Sequence, residues 1–308
     1  MFVARGIVVC LAFFAVMYGA LSLLVGSAWR LRQRLPSRES ANSPSLLFAL
    51  RIFPFALSAL VAVFFTFPSF WLMERKSLDE EATTFCLAAC ALVLLAAGLG
   101  RALRATTLTN RALRHWSRKS NISNESNGAS LSAANGAPAL MLVGVCRPKV
   151  MVSDMANAVL TENELRVAIR HELGHRRSWD NLKKLLINAT PFPGMHGLER
   201  AWREAAEVAA DSSAVNSRQD ALDLAAALIK LSRSANQWVE PELASGLVCE
   251  SSAISVRVKR LLEWRKSRQQ IRSSGLWVVL PTVALIAIAT NYSAALVLTH
   301  RLTELLVP

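Results

Sequence analysis

The run Ile7-Val-Val-Cys-Leu-Ala-Phe-Phe-Ala-Val-Met-Tyr-Gly-Ala-Leu-Ser-Leu-Leu-Val25 carries no charged side chain. At about 1.5 Å of rise per residue, a helix of this length covers the ~30 Å hydrocarbon core of a bilayer. Three further runs share the character: 52–73, interrupted by Pro54 and Pro68; the shorter 84–99; and 276–298. The chain of 308 residues is 53% hydrophobic, with a mean hydropathy of +0.32. That is too apolar for an ordinary water-soluble domain, and the excess sits in these blocks. Between the third and fourth lies a polar stretch of one domain's length. The first run is long for the apolar region of a secretory signal peptide, and Ser22–Ser27 is a loose cleavage site, so it reads as a retained span. The expected fold class is a mainly α membrane protein. It has four transmembrane helices and a mostly helical polar domain containing a small β-hairpin.

The formal net charge is +13. In a soluble protein this would suggest nucleic acid, but here the charges cluster beside the apolar runs, and no nucleic acid partner is expected. Arg30, Arg32, Arg34 and Arg38 follow the first run. Arg101, Arg104, Arg111, Arg114, Arg118 and Lys119 follow the third, and Arg257, Lys259, Arg260, Arg265, Lys266, Arg268 and Arg272 precede the fourth. The connection after the second, Glu74 to Glu81, is net acidic. Lys/Arg excess marks the cytoplasmic side of short loops. The expectation is a multi-pass protein of the cell membrane with its large domain in the cytoplasm and both termini outside. The lipid bilayer is a partner, and the same basic residues suit anionic headgroups. Of the five cysteines, Cys10, Cys86 and Cys90 fall in apolar runs, leaving Cys146 and Cys249. That odd, unpatterned set argues against a disulfide framework.

The organisation expected is three spans in 1–104, a basic and low-complexity linker at 105–138, a folded domain at 139–270 and a fourth span at 276–298. Ser117 to Pro138 is rich in Ser, Asn, Gly and Ala, the composition of a loop. Two β-prone runs flank Cys146-Arg-Pro-Lys149 and read as a hairpin, whose edge either packs or receives an extended peptide. Thr161-Glu-Asn-Glu164 is a capping box opening a helix that runs through His171. Further helices are expected at 180–188, 198–215, 221–232 and 254–268.

That first helix carries His171-Glu172-Leu173-Gly174-His175. Histidines four apart stand on one helix face, so both imidazoles reach one ion. Glu172 between them can hold the attacking water without ligating the metal, the arrangement of a zinc metalloprotease. A third histidine at 181 is excluded, because Ser178 and Asn181 stand where a glycine and a histidine are needed. The third ligand is then a downstream carboxylate, and Glu199, Glu204 and Glu207 compete. Glu207 is preferred because Asp211, one turn on, can hydrogen-bond a metal-bound histidine from behind. Asp180 either orients a side chain of the site or caps the helix that follows it. Arg203 pairs with Glu207 at i,i+4 or faces a developing oxyanion. His196 is an exposed turn histidine rather than a ligand.

With these pieces the chain resembles the BlaR/MecR-type antirepressor membrane metalloproteases. The resemblance runs from about Val143 to Leu262 and includes the four-span layout. It rests on Val143-Gly-Val-Cys-Arg-Pro-Lys-Val-Met-Val, the His-Glu-Leu-Gly-His run with Arg177 and Asp180, Arg203-Glu-Ala-Ala-Glu207 with Asp211, and Arg257-Val-Lys-Arg-Leu-Leu262. It implies that His171, His175 and Glu207 bind Zn2+, that Glu172 is catalytic, and that the domain is cytoplasmic. The expected activity is cleavage of a cytoplasmic or membrane-proximal protein, such as a transcriptional repressor in a signalling pathway. The family's sensor members carry a penicillin-binding domain after the last span, whereas this sequence stops at Pro308. A membrane sensor partner or a second copy is therefore the expected source of control. Heat-shock and CAAX-type membrane proteases, or a non-enzymatic membrane adaptor, are the competing readings. The intact Glu172 speaks against the adaptor, because a purely structural zinc site closes with four protein ligands.

Overall fold

The computed structural model describes residues 2–34, 43–73, 82–118, 123–126, 129–133, 139–146, 148–234, 244–246, 251–264 and 292–306. In chain order the helices and strands are α1 (Phe2–Arg34), α2 (Pro44–Val61), a π-helical turn (Ala62–Thr66), α3 (Phe67–Met73) and α4 (Ala82–Arg118). Next come β1 (Ser123–Ser126), β2 (Ala129–Ala133), β3 (Leu140–Val143), β4 (Lys149–Val152), α5 (Asp154–Val159) and α6 (Glu162–Arg177). After them follow α7 (Asp180–Ala189), α8 (His196–Ala214), α9 (Arg218–Ser234), β5 (Ala244–Gly246), α10 (Ser251–Leu262) and α11 (Tyr292–Leu306).

Phe2–Arg34, Pro44–Met73 and Ala82–His115 are each long and apolar enough to cross a membrane, and the chain is a mostly helical, multi-pass membrane protein. Each helix outruns its apolar block. α1 ends through Arg32 and Arg34, cations that suit the negative end of a helix dipole. The fourth apolar run lies outside the described residues as far as 291, and α11 begins inside it at Tyr292. The two prolines of the second run do not end it. Pro68 has no N–H to offer the carbonyl of Phe64 four residues back. The chain passes this point as a π-turn, and the Tyr292 hydroxyl donates to that carbonyl oxygen at 2.9 Å.

Two expectations for 105–138 are corrected. Residues 105–118 are not linker but the continuation of α4. Half of the stretch is Ala, Leu and Arg, good helix formers, and Ala112 and Leu113 pack on Met141, Val143 and Met151 of the sheet. Ser/Asn-rich 123–133, read as loop, holds β1 and β2. Strand pairing is made by backbone, so a composition without apolar alternation gives no sign of it. The expected hairpin is β3–β4, paired antiparallel from Leu140↔Val152 to Val143↔Lys149. It is the centre of a five-stranded sheet ordered β1-β2-β4-β3-β5. The outer edge of β3, read as a place for an extended peptide, is occupied by this chain's own β5.

Two of the apolar clusters among the described residues frame the site. One joins the sheet to α5, α6, α9 and α10 through Leu142, Val152, Val167, Leu224, Leu228 and Leu261. The other joins the membrane helices to α7 and α8: Val25 and Trp29 of α1 and Leu47 of α2 meet Ile187, Met195, Leu198 and Trp202. The 190–195 connection is wedged between these helices, where its backbone finds donors on the spans. Tyr18 donates to the carbonyls of Thr190 and Pro191 at 3.0 and 3.2 Å. Arg51, 1% exposed, donates to the Thr190 carbonyl at 2.7 Å and to Glu199 Oε1 at 2.9 Å. Gly98 of α4 leaves the room that the Ala189 carbonyl and Pro191 fill.

Arg51 and Glu199 are buried partners, so removing one strands the other charge. Arg51→Met should destabilise the detergent-solubilised protein by about 3–5 kcal/mol, and the double variant with Glu199→Met by less than the two single costs combined. Denaturant titration of the three variants checks this.

Candidate metal centre

The site starts at the cap of α6. Glu164 Oε2 accepts from the Thr161 N–H at 2.8 Å, and Thr161 Oγ1 accepts from the Glu164 N–H at 3.4 Å. Lys230 of α9 donates to the same Glu164 carboxylate at 2.8 Å. The helix so anchored turns His171, Glu172 and His175 inward, at 0%, 0% and 1% exposure. Gly174, one residue before His175, is the point where α8 crosses. A Cβ there would meet Ser213 Oγ at 2.5 Å and Ala210 Cα at 3.3 Å. A residue without a side chain lets α8 come this close, and α8 carries Glu207 and Asp211.

Three donors converge. His171 Nε2 and His175 Nε2 are 3.2 Å apart. Glu207 Oε2 is 3.6 Å from the first and Glu207 Oε1 is 3.5 Å from the second. Zinc bonds of ~2.0–2.2 Å in a tetrahedron put neighbouring ligand atoms about 3.3–3.6 Å apart. Each imidazole is held from behind by a carboxylate. His171 Nδ1 lies 2.9 Å from Asp211 Oδ1, and His175 Nδ1 lies 2.8 Å from Asp180 Oδ2. A carboxylate at each Nδ1 keeps the ring proton there and turns the Nε2 lone pair towards the shared point. Two nitrogen lone pairs and a carboxylate facing one another at this range suit a cation, so the donor set fits a divalent metal.

Asp180 reaches His175 because of the turn before it. Trp179 takes the left-handed conformation, φ 57°, unusual for a bulky side chain, and reverses the chain between α6 and α7. Asp180 is thereby the first residue of α7, and the cap position belongs to Trp179. Asn181, which cannot be a metal ligand in the histidine-rich pattern, donates to the Leu142 and Gly144 carbonyls at 3.2 and 2.9 Å, tying α7 to the end of β3.

The other candidates lie apart. Glu199 belongs to Arg51, and Glu204 and Arg203 are exposed. The partner of Glu207 is Arg257, from α10. Its Nη1 lies 2.9 Å from Glu207 Oε2, while Nε and Nη2 donate to Asp211 Oδ2 and Oδ1 at 2.8 and 2.6 Å. Sequence reasoning gives Arg257 no role at the site; its place in the Arg257-Val-Lys-Arg-Leu-Leu262 run that shares in the resemblance is the signal it carries. His196 is exposed, 3.6 Å from Glu199.

The electrostatics follow from this packing. Burial opposes the Glu207 carboxylate, but His175, His171 and Arg257 outweigh it and hold its pKa down at about 2. Burial likewise opposes Asp211, and His171 and Arg257 hold it well below the usual carboxylate range. Burial opposes the Arg257 cation as well, but Asp211, Glu207 and Glu172 push its pKa further up. Burial works against a charge on His171, yet Asp211 and Glu207 lift its pKa to about 9.

What the fold and site define is a His-His-Glu group that could hold a metal ion, in a multi-pass membrane protein. The family model of the BlaR1 peptidase M56 matches residues 82–261, more than half of the chain, and the chain belongs to this family of metallopeptidases. No curated protein matches it.

Metal content separates the candidate ligands. Glu207→Ala should lose stoichiometric zinc and Glu204→Ala should keep it, measured by elemental analysis of the purified protein. The opposite pattern would reassign the ligand.

Proposed function

We propose that this chain is a zinc-dependent endopeptidase that cleaves a cytoplasmic or membrane-proximal protein. The observation that carries the reading is the donor set itself: two imidazole nitrogens 3.2 Å apart facing one carboxylate whose two oxygens lie 3.6 and 3.5 Å from them, each imidazole backed by its own carboxylate. Three protein ligands of this kind leave a fourth position for water, as catalytic zinc sites do, whereas structural sites are closed. Residues 139–270, with the strands β1 and β2 that complete their sheet, form the protease domain, and α4 leads into it from the spans.

When bound, the zinc ion lowers the pKa of a water and polarises the scissile carbonyl. His171, His175 and Glu207 hold the ion, and Asp211 and Asp180 keep the two rings in the ligating tautomer. Glu172, buried next to His171, takes the proton from the attacking water and passes it to the leaving amine. Burial keeps bulk water from competing for these groups.

The substrate class favoured by the family resemblance is a transcriptional repressor in a signalling pathway. Control comes through a membrane sensor partner or a second copy. Its support is the set of polar contacts joining Tyr18 of α1 to the 190–195 connection and Arg51 of α2 to that connection and to the first turn of α8. Crosslinking that finds only monomer, with constant activity of the purified protein, would leave an unregulated protease.

Glu172→Gln should keep its zinc and lose peptidase activity by at least the ~10²–10⁴ that general-base help supplies. A peptide-cleavage assay beside metal analysis reads both, and undiminished cleavage would falsify the mechanism. The Lys/Arg distribution places the protease domain in the cytoplasm and both termini outside. Reporters fused after Lys119 and after Pro308 should then lie in opposite compartments, and finding both in one would remove the four-span topology.

A further inference from the structure

Arg257 is nearly fully buried, at 5% exposure, and it stands behind the metal centre on a helix that contributes no ligand. Its guanidinium spans two carboxylates one turn apart on α8. The Nε/Nη2 edge takes both oxygens of Asp211 at 2.8 and 2.6 Å. Nη1 takes Glu207 Oε2 at 2.9 Å. Asp211 Oδ1 is shared, because it also lies 2.9 Å from His171 Nδ1. One rigid fork therefore touches a ligand directly and a second ligand through its backing carboxylate.

The charges make this contact consequential. Glu172, Glu207, Asp211 and Asp180 all belong to the centre. Lys183 faces Asp180 alone, at 3.4 Å, and Arg257 is the cation on the Asp211 and Glu207 side. An arginine fork is planar and pre-organised, so it sets direction as well as charge, which a lysine does not. Both Glu207 oxygens face the imidazoles, Oε2 at 3.6 Å from His171 Nε2 and Oε1 at 3.5 Å from His175 Nε2, and Nη1 places its charge on Oε2 alone of the two.

We propose that Arg257 is a positioning residue of the metal centre, fixing Glu207 and Asp211 as a pair so that Glu207 gives the ion a single oxygen and the fourth position stays open. The inference rests on the zinc reading above and adds to it a residue from α10. It also ties the helix that leads towards the fourth apolar run to the geometry of the ligands.

The test uses the full-length protein in detergent, stripped of metal and loaded with zinc or cobalt(II). Native protein should give the intense visible absorption of four-coordinate cobalt. Arg257→Ala should bind zinc about 10- to 100-fold more weakly, the range for lost supporting contacts. Its cobalt spectrum should shift to the weaker five-coordinate form as Glu207 swings to two-oxygen binding. Added guanidinium should restore affinity and spectrum together. Arg257→Lys keeps a cation without the fork, so it decides the matter if the alanine variant does not fold: it should remain metal-binding but show the altered spectrum. Native affinity and a native cobalt spectrum in a folded Arg257→Ala or Arg257→Lys protein would overturn the inference and leave the zinc reading standing. Native protein that binds neither metal would remove the zinc reading, and this inference with it.

Discussion

Two imidazole nitrogens 3.2 Å apart, with carboxylate oxygens 3.5 and 3.6 Å from them, make an arrangement that a buried site holds only around positive charge. Most of the surrounding architecture serves that constraint. The capped start of α6 sets the rotation of the histidines, and Gly174 lets α8 lie against them. The left-handed Trp179 turns Asp180 back onto His175, and Arg257 reaches in from α10 to hold the acidic pair on α8. A centre with this many carboxylates has its cations distributed with care. The positive charge beside Asp211 and Glu207 is Arg257, whose one guanidinium meets both carboxylates.

The same helix that supplies Glu207 is gripped at its other end by the membrane helices. Glu199 in its first turn pairs with Arg51 of α2, and the loop leading into it rests its carbonyls on Tyr18 and Arg51. Irregular backbone packed among spans needs protein donors, because lipid has none, and these two side chains provide them. Buried ion pairs of this sort add little net stability, but they fix one arrangement over others. The consequence is a helix whose start belongs to the membrane part and whose middle belongs to the metal centre. A displacement of α2 would be felt at both α7 and α8, the helices that carry Asp180 and Glu207.

Much of this was legible in the sequence. The first three apolar runs announced the three helices long and apolar enough to cross a membrane, the Thr161–Glu164 box announced α6, and histidines four apart announced a group that could hold one ion. Asp211 at one turn from Glu207 was enough to prefer that glutamate, and the structure brings the two beside the histidines. The family match over 82–261 agrees with the resemblance carried by those motifs. The contributions of Arg51 and Arg257 could not be read, for a common reason. Each acts across a gap of at least 46 residues in sequence, and spacing rules describe neighbours on one helix only. Arg203 was the local partner that such a rule selects for Glu207, and tertiary packing chose Arg257 instead. The strands at 123–133 were missed because their pairing lies in the backbone, and α4 outran its apolar block because its continuation is needed to cover the sheet.

The central claim is that His171, His175 and Glu207 hold one zinc ion. X-ray absorption at the zinc edge of the purified full-length protein tests it most directly. The account predicts a low-coordinate shell of nitrogen and oxygen at ~2.0–2.2 Å, two imidazoles in the outer-shell scattering, and no sulfur. A shell containing sulfur at ~2.3 Å, or protein that retains no zinc when all three side chains are intact, would contradict it.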